Sequence, residues 1–282
     1  MERSKTIEFV KVEDITPYLE NVDCDETGEA TFEWLEENGD EIYAIRIMDT
    51  VVGLAILVDE DEGFLSVYIF PAYRNKGYGR LTVAAAEQRM MEASIEGVET
   101  IWKYGDEHAK RFAERNDYKR TYASAMMAYR GEPFPEEELP IRHFKDEDYP
   151  EAFALYADAF QAMRLSTGWF PDSVTEQPSE ASRKRWAEDA ENEYVYVFDG
   201  EIVGYANIDE TEIDTVSIRI PQQGKGYGKA FVKYLTNRIL EKDDGEPTLW
   251  CVVGNEKARA LYDSLGYEEV CCNDFGEKEF DA

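Results

Sequence analysis

The chain has 282 residues, of which 61 are acidic and 30 basic, and a formal net charge of −31 at pH 7. Hydrophobic residues make up 43% and aromatic residues 13%, which favours a folded globular protein over a disordered chain or a coiled coil. At about 150 residues per domain, this length predicts two domains. The negative charge disfavours binding to nucleic acids and anionic membranes and favours cationic ligands, although solubility or a host with an acidic or salty cytoplasm would also account for it.

The sequence lacks the usual signals for a membrane, for secretion and for metal binding. No apolar stretch approaches the roughly 20 residues needed to span a bilayer, and the first residues lack the apolar core of a secretory signal. Four cysteines without paired metal spacing and only two histidines offer little for a zinc site. We therefore expect a cytoplasmic protein with reduced thiols and no metal cofactor.

The first half of the chain contains a turn, a glycine segment and a linker, in that order. Residues 49–53, Asp-Thr-Val-Val-Gly, separate two apolar runs and predict a β-hairpin. Residues 74–80, Arg-Asn-Lys-Gly-Tyr-Gly-Arg, form a glycine-containing segment. Residues 131–140 contain three prolines and four glutamates, which predicts a stiff, solvated linker that belongs to neither core.

The second half shows alternating strand and helix patterns. They predict strands over 141–144, 194–198, 202–209, 213–220 and 248–253, and helices over 149–163, 180–190, 228–241 and 255–265. The first half shows the same order with a shorter opening helical region. Strands and helices mixed around one sheet indicate an α/β or α+β layer fold.

The two halves resemble each other at a constant offset. The segment 74–80 returns 149 positions later as 223–229, Gln-Gly-Lys-Gly-Tyr-Gly-Lys, and 109–118 returns at the same offset as 258–267. Two matches in one register indicate a duplicated domain. We expect an N-terminal domain over 1–131, a linker over 132–140 and a C-terminal domain over 141–282.

The glycine segment of each half follows a strand and opens a helix. Backbone N–H groups exposed at such a helix start bind phosphate, and glycine lets an anion approach closely. The spacing fits neither a P-loop nor a dinucleotide-binding fingerprint. Lysines and arginines surround both loops. Physiological salt screens the charges of carboxylates that lie more than roughly 8 Å away, so a local anion site is compatible with the large negative net charge.

Two motifs carry a resemblance to a known family. Gln223-x-x-Gly226-x-Gly228 and Arg74-x-x-Gly77-x-Gly79 resemble the acetyl-CoA pyrophosphate loop of the GNAT superfamily of N-acetyltransferases. The segment 255–267, Asn-x-x-Ala-x-x-Leu-Tyr-x-x-Leu-Gly-Tyr, resembles that superfamily's second signature. The resemblance covers both halves and implies two GNAT-like domains, each with a central mixed, mostly antiparallel sheet flanked by helices.

The resemblance also implies acetyl-CoA as co-substrate and a set of residues that bind it. In the second half these are Val216, Ile218, Ile220, Gln223, Gly224, Lys225, Gly226, Tyr227, Gly228, Lys229 and Asn255. In the first half they are Arg74, Asn75, Lys76, Gly77, Tyr78, Gly79 and Arg80. The alternative for both loops is a tight strand-to-helix turn without a ligand, and the alternative for Asn255 is a helix N-cap.

Tyr262 is the candidate general acid. A tyrosine stays protonated at neutral pH and can donate to a departing thiolate, and the family commonly has its acid at this position. Tyr262 lies seven residues after Asn255, so both side chains share one helix face. The first half has Asp106 and Ala113 at the matching positions. We therefore expect the second domain to be catalytic and the first to be a scaffold, a substrate-shaping element or a vestigial coenzyme binder.

Glu212 is the candidate general base, since several family members carry a catalytic glutamate at the start of this strand. Burial would raise its pKa toward the working range, and Asp214 would share its face. One residue fewer separates Pro221 from Gln223 than Pro71 from Arg74, which leaves the register of the strand open. The oxyanion donor is expected to be a backbone N–H within 216–220.

The sequence therefore predicts an N-acetyltransferase that moves acetyl from acetyl-CoA to a primary amine. The acidic composition favours a small cationic acceptor such as an aminoglycoside or a polyamine. We expect the protein to be a monomer or a homodimer and to bind neither nucleic acid nor a membrane. A non-catalytic acyl-CoA sensor and a protein-modifying acetyltransferase are the alternatives. Residues 171–178 and the helices before Tyr194 are expected to wall the acceptor pocket.

Overall fold

The structure, a computed structural model, describes residues 6–22, 41–59, 63–168, 177–242 and 245–280. Its contacts divide the chain into two compact units. Unit 1 comprises residues 1–121 and 273–282, and unit 2 comprises residues 122–272. Among the described residues, no helix is long and apolar enough to cross a membrane, and no group of three or more His, Cys, Asp or Glu side chains is arranged to hold a metal ion.

Unit 1 is a sheet of antiparallel strands interrupted by one parallel pair. Its elements are β1 (Ile7–Lys11), α1 (Leu19–Val22), β2 (Ile42–Ile47), β3 (Thr50–Val58), β4 (Gly63–Ile69), α2 (Tyr78–Glu92), β5 (Gly97–Lys103), α3 (Glu107–Arg115) and the start of β6 (Lys119–Tyr129). The sheet order is β1-β2-β3-β4-β5, and β5 pairs on its other side with residues 273–279. The parallel pair is β4 with β5. Val83, Ala86 and Met90 on α2 pack against Leu57 and Leu65 of the sheet.

Unit 2 repeats this layout. Its elements are the rest of β6, β7 (Ile141–His143), α4 (Tyr149–Thr167), α5 (Glu180–Glu188), β8 (Glu193–Phe198), β9 (Glu201–Asp209), β10 (Glu212–Ile218), α6 (Tyr227–Lys242), β11 (Thr248–Val252), α7 (Glu256–Leu265) and the start of β12 (Tyr267–Glu279). The sheet order is β6-β11-β10-β9-β8-β7. One core lies between the sheet and α6 with α7, and a second lies under α4 and α5.

The parallel pair of each unit separates soon after it begins. In unit 2, β10 and β11 are in register only at Glu212 and Thr248, and in unit 1, β4 and β5 are in register at Gly63 with Val98 and Phe64 with Glu99. Beyond these pairs the strands no longer share hydrogen bonds. Backbone polar groups along the separated edges are therefore available to a ligand.

The boundary between the compact units differs from the one that the duplicated sequence predicts. Residues Ser124–Ala128 of β6, which precede the predicted linker, pair with β11 in unit 2, while residues Asn273–Glu279 of β12 pair with β5 in unit 1. Each unit therefore contains a strand from the other half of the sequence. The repeat reveals which residues are homologous, but strand pairing between distant segments leaves no signal in a single sequence.

The linker also differs from the solvated segment that its composition predicts. It lies within unit 2, where the side-chain amide of Asn237 on α6 accepts from the Phe134 N–H at 2.8 Å and donates to the Phe134 carbonyl at 2.9 Å. The side chains of Phe134 and Leu139 pack against the core under α6. The prolines and glutamates indicate an extended backbone, whereas two apolar side chains attach it to the domain.

The predicted elements of the second half are all present, with ends that shift by up to four residues. The strand predicted over 213–220 ends at Ile218 because residues Ile220–Gln222, which include Pro221, form a turn of 3₁₀ helix. The matching turn in unit 1 is Pro71–Tyr73, at the same offset of 149 positions as the loops. The proline has moved by one place within the turn, so the register of Glu212 is the same as that of Gly63. The strand β12 was not predicted.

Candidate active site

The glycine loop of unit 2 connects β10 to α6 in a conformation that needs glycine. Gly224 and Gly226 have φ values of 75° and 93°, in the left-handed region that side chains disfavour. The first backbone hydrogen bond of the helix runs from the Ala230 N–H to the Gly226 carbonyl at 3.1 Å. As at every helix start, the N–H groups before Ala230 have no partner within the helix, so they can donate hydrogen bonds to an anion.

Side chains around this loop fix it and give it positive charge. Gln223 donates from Nε2 to the Ile218 carbonyl at 3.0 Å, which ties the loop to the end of β10. Lys225 donates to Gln222 at 2.7 Å and Lys229 donates to Ser264 at 3.0 Å, both at exposed positions. A phosphate at this helix start would meet backbone N–H groups and two ammonium groups, so the loop fits the diphosphate of acetyl-CoA.

Lys233, one turn further along α6, differs from the two loop lysines. Its Nζ lies 3.5 Å from a carboxylate oxygen of Glu137 in the linker and 5.7 Å from the ring centroid of Phe134. In the sequence, Lys225, Lys229 and Lys233 all lie on the loop or on the helix that follows it. The structure pairs Lys233 with the linker, so the positive charge at the loop comes from the other two lysines.

Strand β10 contains a β-bulge between Asp214 and Ser217, which pair with Asn207 and Tyr205 of β9. Thr215 and Val216 thus lie opposite the single residue between these partners, and Thr215 has a left-handed φ of 52°. A β-bulge re-aims the residues that follow it and is common beside active sites. No sequence signal pointed to this feature, because a β-branched residue disfavours positive φ.

The backbone amides after the bulge face the gap between β10 and β11. The Arg219 N–H donates to the Val203 carbonyl of β9 at 2.9 Å. Since alternate residues of a strand direct their N–H groups to opposite neighbours, the amides of Ile218 and Val216 face β11. Strand β11 has already separated there. The amides of Val216 and Ile218 therefore face the gap, whereas Ile220 lies beyond the strand with an exposed side chain.

Tyr262 lies on α7, in the core beside the sheet, and the residue is 8% exposed. Loss of hydration, followed by the neighbouring Cys251, Tyr267 and Asp214, raises the pKa of its phenol above the ordinary value. The phenol therefore stays protonated at neutral pH. No hydrogen bond from another described residue reaches its hydroxyl. The charge of Asp214 on β10 is therefore close enough to affect the Tyr262 phenol.

Asn255 caps the helix that carries Tyr262. Its side-chain oxygen accepts from the Ala258 N–H at 3.3 Å, so the capping alternative is confirmed. Its side chain is half-buried, and capping leaves the amide nitrogen available to a ligand. The start of α6 packs closely against α7: a Cβ atom added to Gly228 would lie only 3.3 Å from the Leu261 side chain. The loop, Asn255 and Tyr262 are therefore parts of one region of unit 2.

Carboxylates line one face of the sheet where β8, β9 and β10 meet. Glu193, Asn207 and Asp214 occupy one row across the three strands, and Asp209 and Glu212 occupy the next. This is the face under α4 and α5, since Tyr205 on the same face stacks on Trp186 with ring centroids 4.3 Å apart.

Two of these carboxylates titrate near neutral pH. Burial, then the charges of Asp214 and Asp209, raise the pKa of Glu212 to about 7. Burial also raises the pKa of Glu193 to about 7, although the hydrogen bond that it accepts from Tyr205 opposes the rise. The sequence did not identify Glu193 or Asn207 as site residues. In the sequence, each of the two appears only as a polar residue within a largely apolar strand, because the residues that face them belong to other strands.

Unit 1 keeps the loop geometry without the groups that would react. Arg74 donates to the Ile69 carbonyl at 2.9 Å, as Gln223 does to Ile218, and Gly77 has a φ of 80°. The positions that match Glu212 and Tyr262 are Gly63 and Ala113, neither of which can transfer a proton. The predicted residues 74–80 form the corresponding strand-to-helix loop of unit 1.

The remaining loop residues of unit 1 are held by local contacts. Lys76 donates to the Ala72 carbonyl at 2.7 Å and lies 5.3 Å from the ring centroid of Tyr73. Asn75 has a left-handed φ of 60°, as Gly224 does at the matching position. Asp106 caps α3 by accepting from the His108 and Ala109 N–H groups at 2.8 and 3.0 Å. Of the predicted acceptor wall at 171–178, residues 171–176 lie outside the described residues.

The sequence matches a known protein family and a known relative. The sequence model of the acetyltransferase (GNAT) family matches residues 11–118 and residues 153–267. The chain is 23% identical over 239 residues to mycothiol acetyltransferase of Corynebacterium glutamicum, an alignment that covers 79% of this chain and 77% of that protein.

Two solved structures share the fold at low sequence identity. A GCN5-related N-acetyltransferase from Sphaerobacter thermophilus has a TM-score of 0.63 and 17% identity, covering 97% of this chain and 95% of that one. A tandem GNAT protein from the clavulanic acid biosynthesis pathway has a TM-score of 0.55 and 14% identity, covering 97% of this chain and 98% of that one. The GNAT family uses acetyl-CoA as co-substrate. With two matches to the family model in one chain, this protein belongs to the GNAT acetyltransferases and is an acyltransferase with two family domains in tandem.

Proposed function

We propose that unit 2 transfers an acetyl group from acetyl-CoA to the nitrogen of a primary amine. The amine nitrogen forms a bond to the acetyl carbonyl carbon, the carbon–sulfur bond of the thioester breaks, and CoA leaves as a thiolate. The amine proton passes to a base, and the thiolate takes a proton from an acid. The enzyme must also stabilise the negative charge that develops on the carbonyl oxygen.

The observation that carries this proposal is the occurrence of a protonated phenol, a titratable carboxylate and a re-aimed backbone amide around one gap in one unit. Tyr262, Glu212 and Val216 supply these groups in unit 2. Unit 1 has the gap and the glycine loop, but it has Ala113 and Gly63 in place of the acid and the base. Unit 1 is therefore a non-catalytic domain in this proposal, with residues 74–80 as a second coenzyme loop.

Binding of the coenzyme is assigned to the loop and to the edge of β10. The N–H groups of 224–229 bind the diphosphate, with Lys225 and Lys229 adding charge. The amides of Val216 and Ile218 face the gap, where the pantetheine arm would lie, and Asn255 contacts it from the start of α7. Because the loop supplies the binding energy and the gap supplies the reactive groups, variants of the two should affect KM and kcat separately.

Tyr262 is the proposed acid. Its raised pKa keeps the proton on the phenol until a thiolate forms beside it. Glu212 is the proposed base. With a pKa of about 7 it is partly ionised at neutral pH, which is the condition under which a base is both available and able to hold the proton.

The acceptor is proposed to be a small cationic molecule. A cationic amine would relieve the mutual repulsion of four carboxylates on the face of β8, β9 and β10 under α4 and α5. These carboxylates are Glu193, Asp209, Glu212 and Asp214. The similarity to mycothiol acetyltransferase favours a small molecule as well, and its acceptor is the second candidate.

The test is release of CoA thiol from acetyl-CoA in the presence of polyamines, aminoglycosides, amino sugars or a lysine peptide. We expect turnover with a small polycation, and a decrease of about 10²-fold or more in kcat for Tyr262→Phe. Tyr118→Phe is the matched control, because Tyr118 is also a buried phenol but lies in unit 1. Equal losses in both variants would contradict the assignment of the acid. Coenzyme binding without turnover would identify a sensor, and turnover with the peptide alone would identify a protein acetyltransferase.

A further inference from the structure

The bulge in β10 determines which way the Val216 amide points. Before the bulge, the Thr248 N–H of β11 donates to the Thr211 carbonyl at 2.9 Å, so the odd-numbered residues direct their polar groups toward β11. An uninterrupted strand would turn Val216 toward β9. The extra residue reverses the alternation, and Val216 faces the gap instead.

Three hydrogen bonds surround Thr215 at the centre of this bulge. Its N–H donates to the Asp214 carboxylate at 2.6 Å, and its carbonyl accepts from the Ser217 hydroxyl at 2.8 Å. Its own hydroxyl donates to the side-chain oxygen of Asn207 on β9 in a short hydrogen bond. Every polar group of Thr215 is therefore bonded, two of them to side chains within β10 and one to the neighbouring strand.

These bonds hold a conformation that Thr215 would not adopt by itself. A β-branched residue at a φ of 52° is disfavoured by contacts between its side chain and the backbone. Such a conformation persists only where the surroundings determine it, and it is found mostly at functional sites. Asn207 accepts the Thr215 hydroxyl from the neighbouring strand β9, so this bond helps to fix Thr215 relative to the sheet.

Unit 1 is an internal comparison. Its strand β4 pairs with β3 without a register shift from Phe64 to Ile69. Leu65 and Ser66 stand at the positions that match Asp214 and Thr215, and Ile56 pairs with Ser66. Leucine and isoleucine cannot make the hydrogen bonds that Asp214 and Asn207 make. The bulge and its polar partners therefore occur together in the unit that has the acid and the base, and both are absent from this stretch of the other.

We propose that Asn207, Asp214 and Ser217 are positioning residues that hold Thr215 in the bulge and thereby aim the Val216 N–H at the carbonyl oxygen of the acetyl group. The proposal rests on the proposed function of unit 2. None of the three side chains transfers a proton in this role. Their contribution is to fix a donor before the negative charge develops on that oxygen, and such fixed donors stabilise the transition state without reorganisation.

Two substitutions at Thr215 separate the backbone conformation from the hydroxyl. Thr215→Gly removes the hydroxyl but adopts positive φ freely, and it keeps the bonds of the backbone N–H and carbonyl. Thr215→Val removes the hydroxyl and keeps the β-branch that disfavours the bulge. We expect Thr215→Gly to retain kcat within about 3-fold, and Thr215→Val to lose about 10²-fold, the effect of misplacing or removing one such donor. The KM for acetyl-CoA should change by less than about 3-fold in both, since the glycine loop binds the coenzyme.

Asn207 provides a further check through coupling. Asn207→Ala should lower kcat by about 10-fold in the wild-type background and have almost no effect in Thr215→Gly, because glycine no longer needs the side chain to hold the bulge. Thr100→Val, on a strand of unit 1, is the control for a threonine-to-valine change in a sheet. Melting temperatures of all variants show which of them are folded, and kcat is compared among those.

The readout that does not depend on turnover is the ¹⁵N–¹H resonance of Val216 in full-length protein labelled at valine. Addition of acetyl-CoA should shift this resonance in wild type and in Thr215→Gly, and shift it much less in Thr215→Val. Equal kcat values for wild type and Thr215→Val, or equal losses in Thr215→Gly and Thr215→Val, would overturn the proposal. If wild type turns over no acceptor, the proposed function fails. In that case the Val216 resonance alone tests the role of the bulge, and a resonance that acetyl-CoA does not shift in wild type would reject that role.

Discussion

The pH dependence of turnover tests the base most directly, because Glu212 titrates near neutrality. With a pKa of about 7, its ionised fraction is about 10% at pH 6, about half at pH 7 and about 90% at pH 8. Since a base acts in its ionised form, kcat should rise about 9-fold over this range and then level off. The raised pKa of Tyr262 keeps the acid protonated across the same range, so no falling limb is expected there.

The charges around Glu212 allow the position of this rise to be moved. The neighbouring charge of Asp209 raises the pKa of Glu212, so Asp209→Asn should lower it. Interactions between exposed charges are worth about 0.2–1 kcal/mol, and one pKa unit corresponds to about 1.4 kcal/mol, so the midpoint should move down by about 0.2–0.7 pH units. Glu212→Gln should remove the rise and lower kcat by about 10²-fold or more.

The assay is kcat from thiol release at saturating substrates between pH 5.5 and 9. Two acceptors whose amine pKa values differ by about two units distinguish the enzyme from the substrate, because a limb that comes from Glu212 stays in place when the acceptor changes. Glu201→Gln, an exposed carboxylate at the start of β9, is the control. A profile that is flat from pH 5.5 to 8 in wild type, or one that Glu212→Gln leaves unchanged, would refute the assignment of the base.

Three further predictions concern the loop, the strand exchange and the buried carboxylate. Gly226→Ala, which strains a residue at a φ of 93°, should raise the KM for acetyl-CoA about 10-fold in steady-state kinetics, while Gly77→Ala in unit 1 should leave it unchanged. A fragment of residues 122–272 should show a cooperative melt by circular dichroism, whereas residues 139–282 should not, because the latter lack the five residues of β6 that pair with β11; a cooperative melt of 139–282 would contradict this. Glu193 has a folded pKa above its unfolded value, so its contribution to stability is full below about pH 4 and is lost as the pH rises to about 7. Glu193→Gln should therefore stabilise the protein by about 1–3 kcal/mol at pH 8 and by almost nothing at pH 4.5 in urea unfolding, and equal effects at both pH values would contradict the raised pKa.

The fold and the family could be predicted from the sequence because their signals are local or repeated. Glycines at a helix start, the Asn255 to Tyr267 spacing and the constant offset between the halves are all visible along the chain. Strand and helix periodicity predicted the elements of unit 2 to within four residues at their ends. The resemblance to the family proposed Tyr262 as the acid and Glu212 as the base from their distances to the two motifs, and both assignments stay predictions.

The sequence by itself determined two homologous domains and their glycine loops, and it showed that the first domain has Ala113 at the position of Tyr262, the proposed acid. The tertiary structure alone decided that each compact unit includes a strand from the other half, that the linker packs through Phe134, and that Glu193, Asn207 and Thr215 gather beside Glu212. The physical reason is the range of the interactions. Helix starts and periodic faces depend on residues a few positions apart, whereas strand pairing, a bulge held from the neighbouring strand and a carboxylate pKa depend on groups that only the folded sheet brings together.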